Sequence, residues 1–127
     1  MSNSSQIATD YLSSFWSGDV KAAHGLIAEN FSFAGPFVQV EGKDAFFNSA
    51  VGLIPIMRGY RLLRQWDDGG HVCTFYEFNL ETPVGKGAVL AAERNHVHDG
   101  QIASVRLVFD TAQFRKLVPA TRPCTSG

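Results

Sequence analysis

Glu93 lies in the mainly apolar first half of the segment AVLAAERNHVHDGQIASVRLVF, which spans residues 88–109. Two runs of alternating side chains flank an Asp-Gly pair at 99–100, a pattern typical of a β-hairpin. Side chains of a strand point alternately to its two faces. Glu93 therefore shares a mainly apolar face with Val89, Ala91, Asn95 and Val97. A charge on an inward face is costly unless it is paired or protonated, so this residue is the first candidate for chemistry.

The register of the hairpin decides whether Glu93 has a chemical or a structural role. A two-residue loop at 99–100 places Glu93 opposite Arg106, which predicts a cross-strand ion pair. A three-residue loop with a glycine bulge places Glu93 opposite Val105, beside Leu107. We favour the three-residue loop, because it gathers apolar side chains around one cavity.

The remaining metal-ligating residue types predict no metal site. His96 and His98 lie two apart on one strand face, but the sequence offers no third ligand, so solvated histidines are favoured. The two cysteines, Cys73 and Cys124, argue against a disulfide scaffold and against a cysteine-based metal centre.

Length and composition predict one compact domain. The chain has 127 residues, of which 45% are hydrophobic and 12% aromatic, enough for a single core at 1–118 with a flexible tail at 119–127. The net charge is −1 and the eleven basic residues are scattered, which argues against a nucleic-acid partner. The N-terminus lacks a basic start and an apolar run, and no stretch has the length of a membrane span. We therefore expect a cytoplasmic protein.

Helices come first in the chain and long strands later, an order that predicts an α+β fold. Apolar residues at helical spacing predict a first helix that Gly18 ends, and a second helix capped by Asp19 and extending to Ile27. Short strands at 31–34 and 38–41 precede a third helix, from Asp44 to a stop at Pro55.

Long strands at 60–67 and 71–82 lead into the hairpin. In the second of them the alternating residues predicted to face inward are Val72, Thr74, Tyr76, Phe78 and Leu80. The opposite face carries Cys73 and Phe75, an apolar patch suited to a second subunit, and Glu77, which we expect to meet Arg94.

Four short motifs occur in a characteristic order: YLSSFWSGD at 11–19, FSFAGPF at 31–37, EGKDAF at 41–46 and HDGQI at 98–102. In this order they resemble the nuclear-transport-factor-two-like superfamily, which includes SnoaL-like polyketide cyclases and ketosteroid isomerases. The resemblance covers residues 5–117. It implies a cone-shaped, curved antiparallel sheet wrapped around the N-terminal helices.

The resemblance also implies roles for individual residues. Tyr11 lies eight positions before Asp19, as does the tyrosine of steroid isomerases that donates to the developing oxyanion. With the three-residue loop, Glu93 corresponds to the protonated carboxyl that is the second donor in ketosteroid isomerases. The general-base aspartate of those enzymes is missing, because Gly35 occupies its position. SnoaL-like cyclases keep an acid late in the barrel, which makes Asp110 a candidate, although its favoured role is to cap a terminal helical turn.

We therefore expect a homodimer whose cavity binds a small hydrophobic molecule with a carbonyl or hydroxyl group. If the protein is an enzyme, it is a cofactor-independent isomerase, cyclase or dehydratase, in which Tyr11 and protonated Glu93 stabilise an oxyanion. Asn95 helps to orient the polar end. The expected apolar wall consists of Phe15, Phe33, Phe37, Trp66, Tyr76, Phe78, Leu107 and Phe109. The alternative is a non-catalytic module for ligand binding or association.

Overall fold

Helices and strands follow one another along residues 3–119, the part of the chain that the computed structural model describes. The elements are α1 (Ser4–Trp16), α2 (Val20–His24), β1 (Ile27–Ala34), β2 (Gln39–Glu41), α3 (Lys43–Ala50), a 3-10 helix (Val51–Ile56), β3 (Met57–Asp68), β4 (His71–Thr82), β5 (Gly85–His98), β6 (Gln101–Phe109) and α4 (Thr111–Leu117). None of the helices within 3–119 has the length and apolar character that crossing a membrane requires. The predicted tail beyond residue 119, with Cys124, lies outside the described residues.

The six strands form one sheet in the order β2-β1-β6-β5-β4-β3. Neighbouring strands are antiparallel except β1 and β6, which are parallel, so the sheet is mixed and the purely antiparallel expectation is wrong at that pair. β2 and β3 are its free edges, and the sheet does not close. Bulges in β3 and in the β5–β6 hairpin add bends. The α+β class and the curved sheet around N-terminal helices are confirmed.

The core lies between α1, α3 and the concave face of the sheet. Residues at helical spacing on α1, among them Leu12, Phe15 and Trp16, are buried against the strands. Trp16 stacks on Phe78 with ring centroids 4.3 Å apart. The predicted inward face of β4 is confirmed, since all five of its residues are buried. On the opposite face Glu77 pairs with Arg61 at 3.8 Å, so the expected contact with Arg94 is wrong.

Two predicted helix ends are also wrong. The second helix ends at His24, and Ile27 begins β1, because the N–H of Ile102 donates to the carbonyl of Leu26 at 2.9 Å and brings this segment into the sheet. Helix α3 ends before Pro55, which lies inside the 3-10 helix.

The hairpin has a register that neither sequence alternative describes. His98 pairs with Gln101, so the loop has two residues, and both have positive φ: Asp99 at 52° and Gly100 at 76°. A bulge then leaves Ala103 without a partner in the register and shifts every later pair by one residue, so that Glu93 faces Leu107. The three-residue loop and the Glu93–Arg106 pair are therefore both wrong. The inward direction of Glu93 is confirmed.

Candidate functional site

A cavity of about 300 Å³ lies in the concave side of the sheet. Its lining is mostly aromatic and aliphatic, contributed by α1, α3, the β1–β2 connection, the sheet and α4. Six of the predicted wall residues lie in this lining: Phe15, Phe33, Phe37, Phe78, Leu107 and Phe109. A site of this kind suits a small apolar ligand that a few polar groups orient.

Glu93 is the buried carboxyl group in this lining, and only 3% of its surface is exposed. The Tyr76 hydroxyl donates to its Oε1 at 2.7 Å, and the Asn95 Nδ2 donates to its Oε2 at 2.9 Å. Burial raises the pKa of Glu93, and these two hydrogen bonds oppose that rise only in part. The carboxylate is thus a stronger base than an exposed glutamate, and both of its oxygens are held in place.

Tyr11 extends from α1 into the same cavity lining. Burial, and secondarily the charge of Glu93, raise the pKa of its phenol well above the usual value, so the hydroxyl keeps its proton. Within residues 3–119 this hydroxyl has no hydrogen-bond partner. It is therefore free to donate to a polar atom of a ligand.

Tyr76 and Asn95 hold Glu93 in place by hydrogen bonds, but neither residue belongs to the cavity lining. The sequence-based prediction that both line the cavity is therefore wrong. Both are fully buried on the inward face. Burial, followed by the charge of Glu93, raises the pKa of Tyr76, which keeps it a donor. The Asn95 Oδ1 has no hydrogen-bond partner within the described chain.

Trp66 lies outside the cavity, and 52% of its surface is exposed. Leu62 pairs with the inward-facing Tyr76, but the register shifts before Arg64, so one extra residue reverses the side-chain direction of the rest of β3. Trp66 consequently points to the outer face, where the Arg64 guanidinium lies 5.7 Å from its ring.

Asp110 is the N-cap of α4 and does not belong to the cavity lining. Its Oδ1 accepts a hydrogen bond from the backbone N–H of Gln113 at 3.0 Å. The favoured capping role is therefore what the structure shows, and the carboxyl is not positioned for chemistry in the cavity.

Helix α4 supplies two of the lining residues that the sequence interpretation missed, Phe114 and Arg115. The Leu90 N–H donates to the Gln113 Oε1 at 2.9 Å, which ties this helix across β5. The sequence signal for this helix was the Asp110 cap followed by Phe114 one turn later. That signal does not show where the helix packs, because contacts distant in sequence decide the packing of such a short helix. Trp16 and Phe46, both in predicted helical stripes, also line the cavity.

Three of the four histidines gather on the outer face. The rings of His71 and His96 stack at 4.2 Å, and His98 is 6.3 Å from His96. Across residues 3–119, no group of three or more His, Cys, Asp or Glu side chains is arranged to hold a metal ion.

The sequence profile of the SnoaL-like domain matches residues 8–105, well over half of the chain. The chain belongs to the SnoaL-like family. Among curated proteins nothing matches the chain significantly. Glu93 and Tyr11 thus line the cavity of a SnoaL-like domain. The chemistry of that cavity is the basis for inferring its ligand.

Solved structures share the fold. A protein of Kribbella flavida is 26% identical, with 89% of this chain and 91% of that chain covered and a TM-score of 0.77. A protein of Shewanella denitrificans, named as a SnoaL-like polyketide cyclase, is 9% identical over 95% of this chain and 100% of that chain, with a TM-score of 0.80. A Catenulispora acidiphila protein with a ketosteroid isomerase-like fold, solved in complex with trimethylamine, is 14% identical over 80% and 82%, with a TM-score of 0.70.

Proposed function

We propose that this SnoaL-like domain binds a small apolar molecule bearing a carbonyl or hydroxyl group, and that Glu93 moves a proton on it without a cofactor. The observation that carries the proposal is a buried carboxyl in the wall of an otherwise apolar cavity. Keeping such a group away from water is costly, and active sites are where this cost recurs. The Shewanella neighbour named as a polyketide cyclase supports this class of chemistry.

Glu93 is best suited to act as the general base. Each of its oxygens already accepts a hydrogen bond, from Tyr76 and from Asn95, an arrangement that serves the ionised form. The resemblance to ketosteroid isomerases implied a protonated donor at this position. We instead assign Glu93 the base role, because Gly35 leaves the usual base position without a side chain while lining the cavity.

The proposed reaction starts at a carbon next to a carbonyl group. Glu93 takes the proton from that carbon, and the electron pair of the broken C–H bond moves onto the carbonyl oxygen to form an enolate. The Tyr11 hydroxyl donates a hydrogen bond to that oxygen. Where the enolate is conjugated with a carbon–carbon double bond, Glu93 returns the proton to the far carbon of that double bond and completes an isomerisation. Where the molecule holds a second carbonyl, the enolate carbon attacks it, and Glu93 returns the proton to the resulting alkoxide oxygen to complete a cyclisation.

Proton exchange into 2-tetralone tests this assignment. In D₂O the wild-type chain should replace the protons next to the carbonyl faster than buffer does, as ¹H NMR records. Glu93→Gln should bring the rate down by roughly 10²-fold or more, toward the buffer rate, because the base is lost. The matched control Glu41→Gln changes an exposed carboxylate on β2 and should leave the rate unchanged. A Glu93→Gln variant that exchanges at the wild-type rate would contradict the base role.

A second candidate function is binding without catalysis, favoured by the absence of a side chain at Gly35. In that case 2-tetralone would shift the protein NMR signals of cavity residues, while the exchange rate would stay at the buffer value. The same two measurements therefore separate an enzyme from a binding module.

We also propose that the chain forms a homodimer through the outer face of the sheet. Phe75 pairs in register with Arg64 and Ala92, and Ala92 in turn with Val108, so that apolar side chains continue across three strands. Phe75 and Val108 are exposed in the single chain, as is Trp66 in the neighbouring row. An apolar face of this kind suits a second copy of the same surface.

A further inference from the structure

We propose that the ligand is an amphipathic acid whose carboxylate is bound by Arg115 at the outer end of the cavity. The proposal rests on the proposed function, since it names the substrate class of the same cavity. It is carried by one observation: a cation without a carboxylate partner within residues 3–119 lines the same cavity as Glu93, beside the half-exposed Phe37 ring.

Arg115 marks the outer end. Its guanidinium carbon lies 4.1 Å from the centre of the Phe37 ring, and 47% of the surface of Phe37 is exposed. Glu93, by contrast, is almost fully buried. The lining of one cavity thus includes a deeply buried carboxylate, a cation beside a half-exposed ring, and mostly apolar side chains.

The guanidinium of Arg115 has hydrogen-bonding capacity to spare. One of its five N–H groups is used within residues 3–119, where Nη1 donates to the carbonyl oxygen of Val118 at 3.2 Å. No carboxylate of the described chain lies within 4.0 Å of this guanidinium. A planar guanidinium with free donors pairs well with a carboxylate, which accepts two parallel hydrogen bonds.

The Arg115 side chain is also held in position. It stacks on the Phe37 ring, and the centroid of that ring lies 5.7 Å from the centroid of the Phe109 ring. The helix below it is fixed by the Asp110 cap and by the hydrogen bond from Leu90 to Gln113. A preorganised cation loses less entropy when it binds an anion.

The two charges orient an acid in one direction. At the deep end a carboxylate would meet the negative charge of Glu93, whereas at the outer end it meets Arg115. The carbonyl or hydroxyl group of the ligand is then left beside Glu93 and Tyr11. The ligand class that fits is a small ring compound with an acid at one end and a carbonyl or hydroxyl at the other, within about 300 Å³.

The experiment compares the binding of 2-naphthoate and of 2-naphthamide, two probes of one shape that differ in charge, by NMR titration at pH 7.5. We expect wild type to bind the acid at least tenfold more tightly than the amide, since a charged hydrogen bond replaces a neutral one. Arg115→Gln should abolish that preference, because it should weaken binding of the acid at least tenfold more than binding of the amide. Lys116→Gln, on the exposed side of the same helix, is the matched control and should keep the preference.

Each outcome bears on one of the two proposals. Equal affinities for the two probes, or a preference that survives Arg115→Gln, would overturn the Arg115 assignment while leaving a binding cavity in place. A preference lost equally in Lys116→Gln would mean that the general charge of α4 attracts the acid, and would also overturn it. Binding of neither probe in the cavity would contradict the proposed function itself.

Discussion

At the residue scale the site consists of one carboxylate and the groups that surround it. Tyr76 and Asn95 hold the two oxygens of Glu93 from the side away from the cavity, while Tyr11 offers a free hydroxyl within it. Burial raises the pKa of Glu93 and of both tyrosines. The carboxyl therefore becomes a better base, while the phenols stay protonated and remain donors.

The raised pKa of Glu93 predicts a dependence of stability on pH. Between the unfolded and the folded pKa, the folded chain keeps a proton that the unfolded chain has lost. The stability that this group contributes is therefore full below its unfolded pKa and is lost as pH rises through its folded pKa.

Glu93→Gln should remove this dependence. Urea unfolding from pH 4 to pH 8 should show that the variant gains stability relative to wild type as pH rises, by at most about 1.4 kcal/mol per pH unit, and then levels off. The Asn95 amide can rotate to offer its unpartnered Oδ1 to the new amide group. Glu41→Gln, at an exposed position, should follow wild type across the range. A stability difference between Glu93→Gln and wild type that does not change with pH would contradict the raised pKa.

At the element scale, short irregularities decide what reaches the cavity. One extra residue in β3 turns Trp66 outward, and one extra residue in β6 aligns Glu93 with Leu107 in place of Arg106. Helix α4 crosses the end of the cavity and contributes Phe114 and Arg115. Its seven residues are too few to be stable alone, so its start and its packing against β5 matter.

Loss of the α4 cap should destabilise the fold without acting on chemistry directly. Asp110→Ala removes the acceptor for the Gln113 N–H and should cost about 1 kcal/mol in the free energy of unfolding, measured in urea. Asp110→Ser can still cap the helix and should retain most of the stability. If Asp110 were also the catalytic acid late in the barrel, Asp110→Ser would lose proton exchange at full stability, and this outcome would contradict a purely structural role.

At the scale of the whole molecule, the sheet has two different faces. The concave face holds the core and the cavity, whereas the outer face is uncovered in the single chain and carries Trp66, Phe75 and Val108. Covering the outer face with a second copy removes that apolar surface from water. The cavity opens on the other side of the sheet, so a dimer formed in this way leaves the site accessible.

Introducing a charged side chain on the outer face of the sheet tests whether this face forms the dimer interface. Light scattering during size exclusion should give wild type about twice the 13.9 kDa chain mass, and Phe75→Asp should give the single-chain mass. Val84→Asp is the matched control, since Val84 is exposed in the turn between β4 and β5, away from the patch. A wild-type chain that runs as a monomer at 100 μM would contradict the proposed interface.

The sequence by itself determined the features that depend on neighbours along the chain. Local side-chain periodicity determines the alternation in β4, the helical stripe of α1 and the order of elements. Local hydrogen bonding determines the helix caps at Asp19 and Asp110. The inward direction of Glu93 also followed, because Val89, Ala91 and Val97 make its face of the strand mainly apolar.

Only the tertiary structure decided the rest of the site. A bulge shifts a register by one residue at little local cost, so the sequence pattern alone did not exclude the Arg106 pairing or reveal the outward turn of Trp66. The hydrogen bond from Tyr76 to Glu93, and the placement of Arg115 over Phe37, join residues that are distant in sequence. Such contacts form only when the sheet and helices pack together. The sequence alone therefore did not predict that Glu93 and Arg115 line the same cavity.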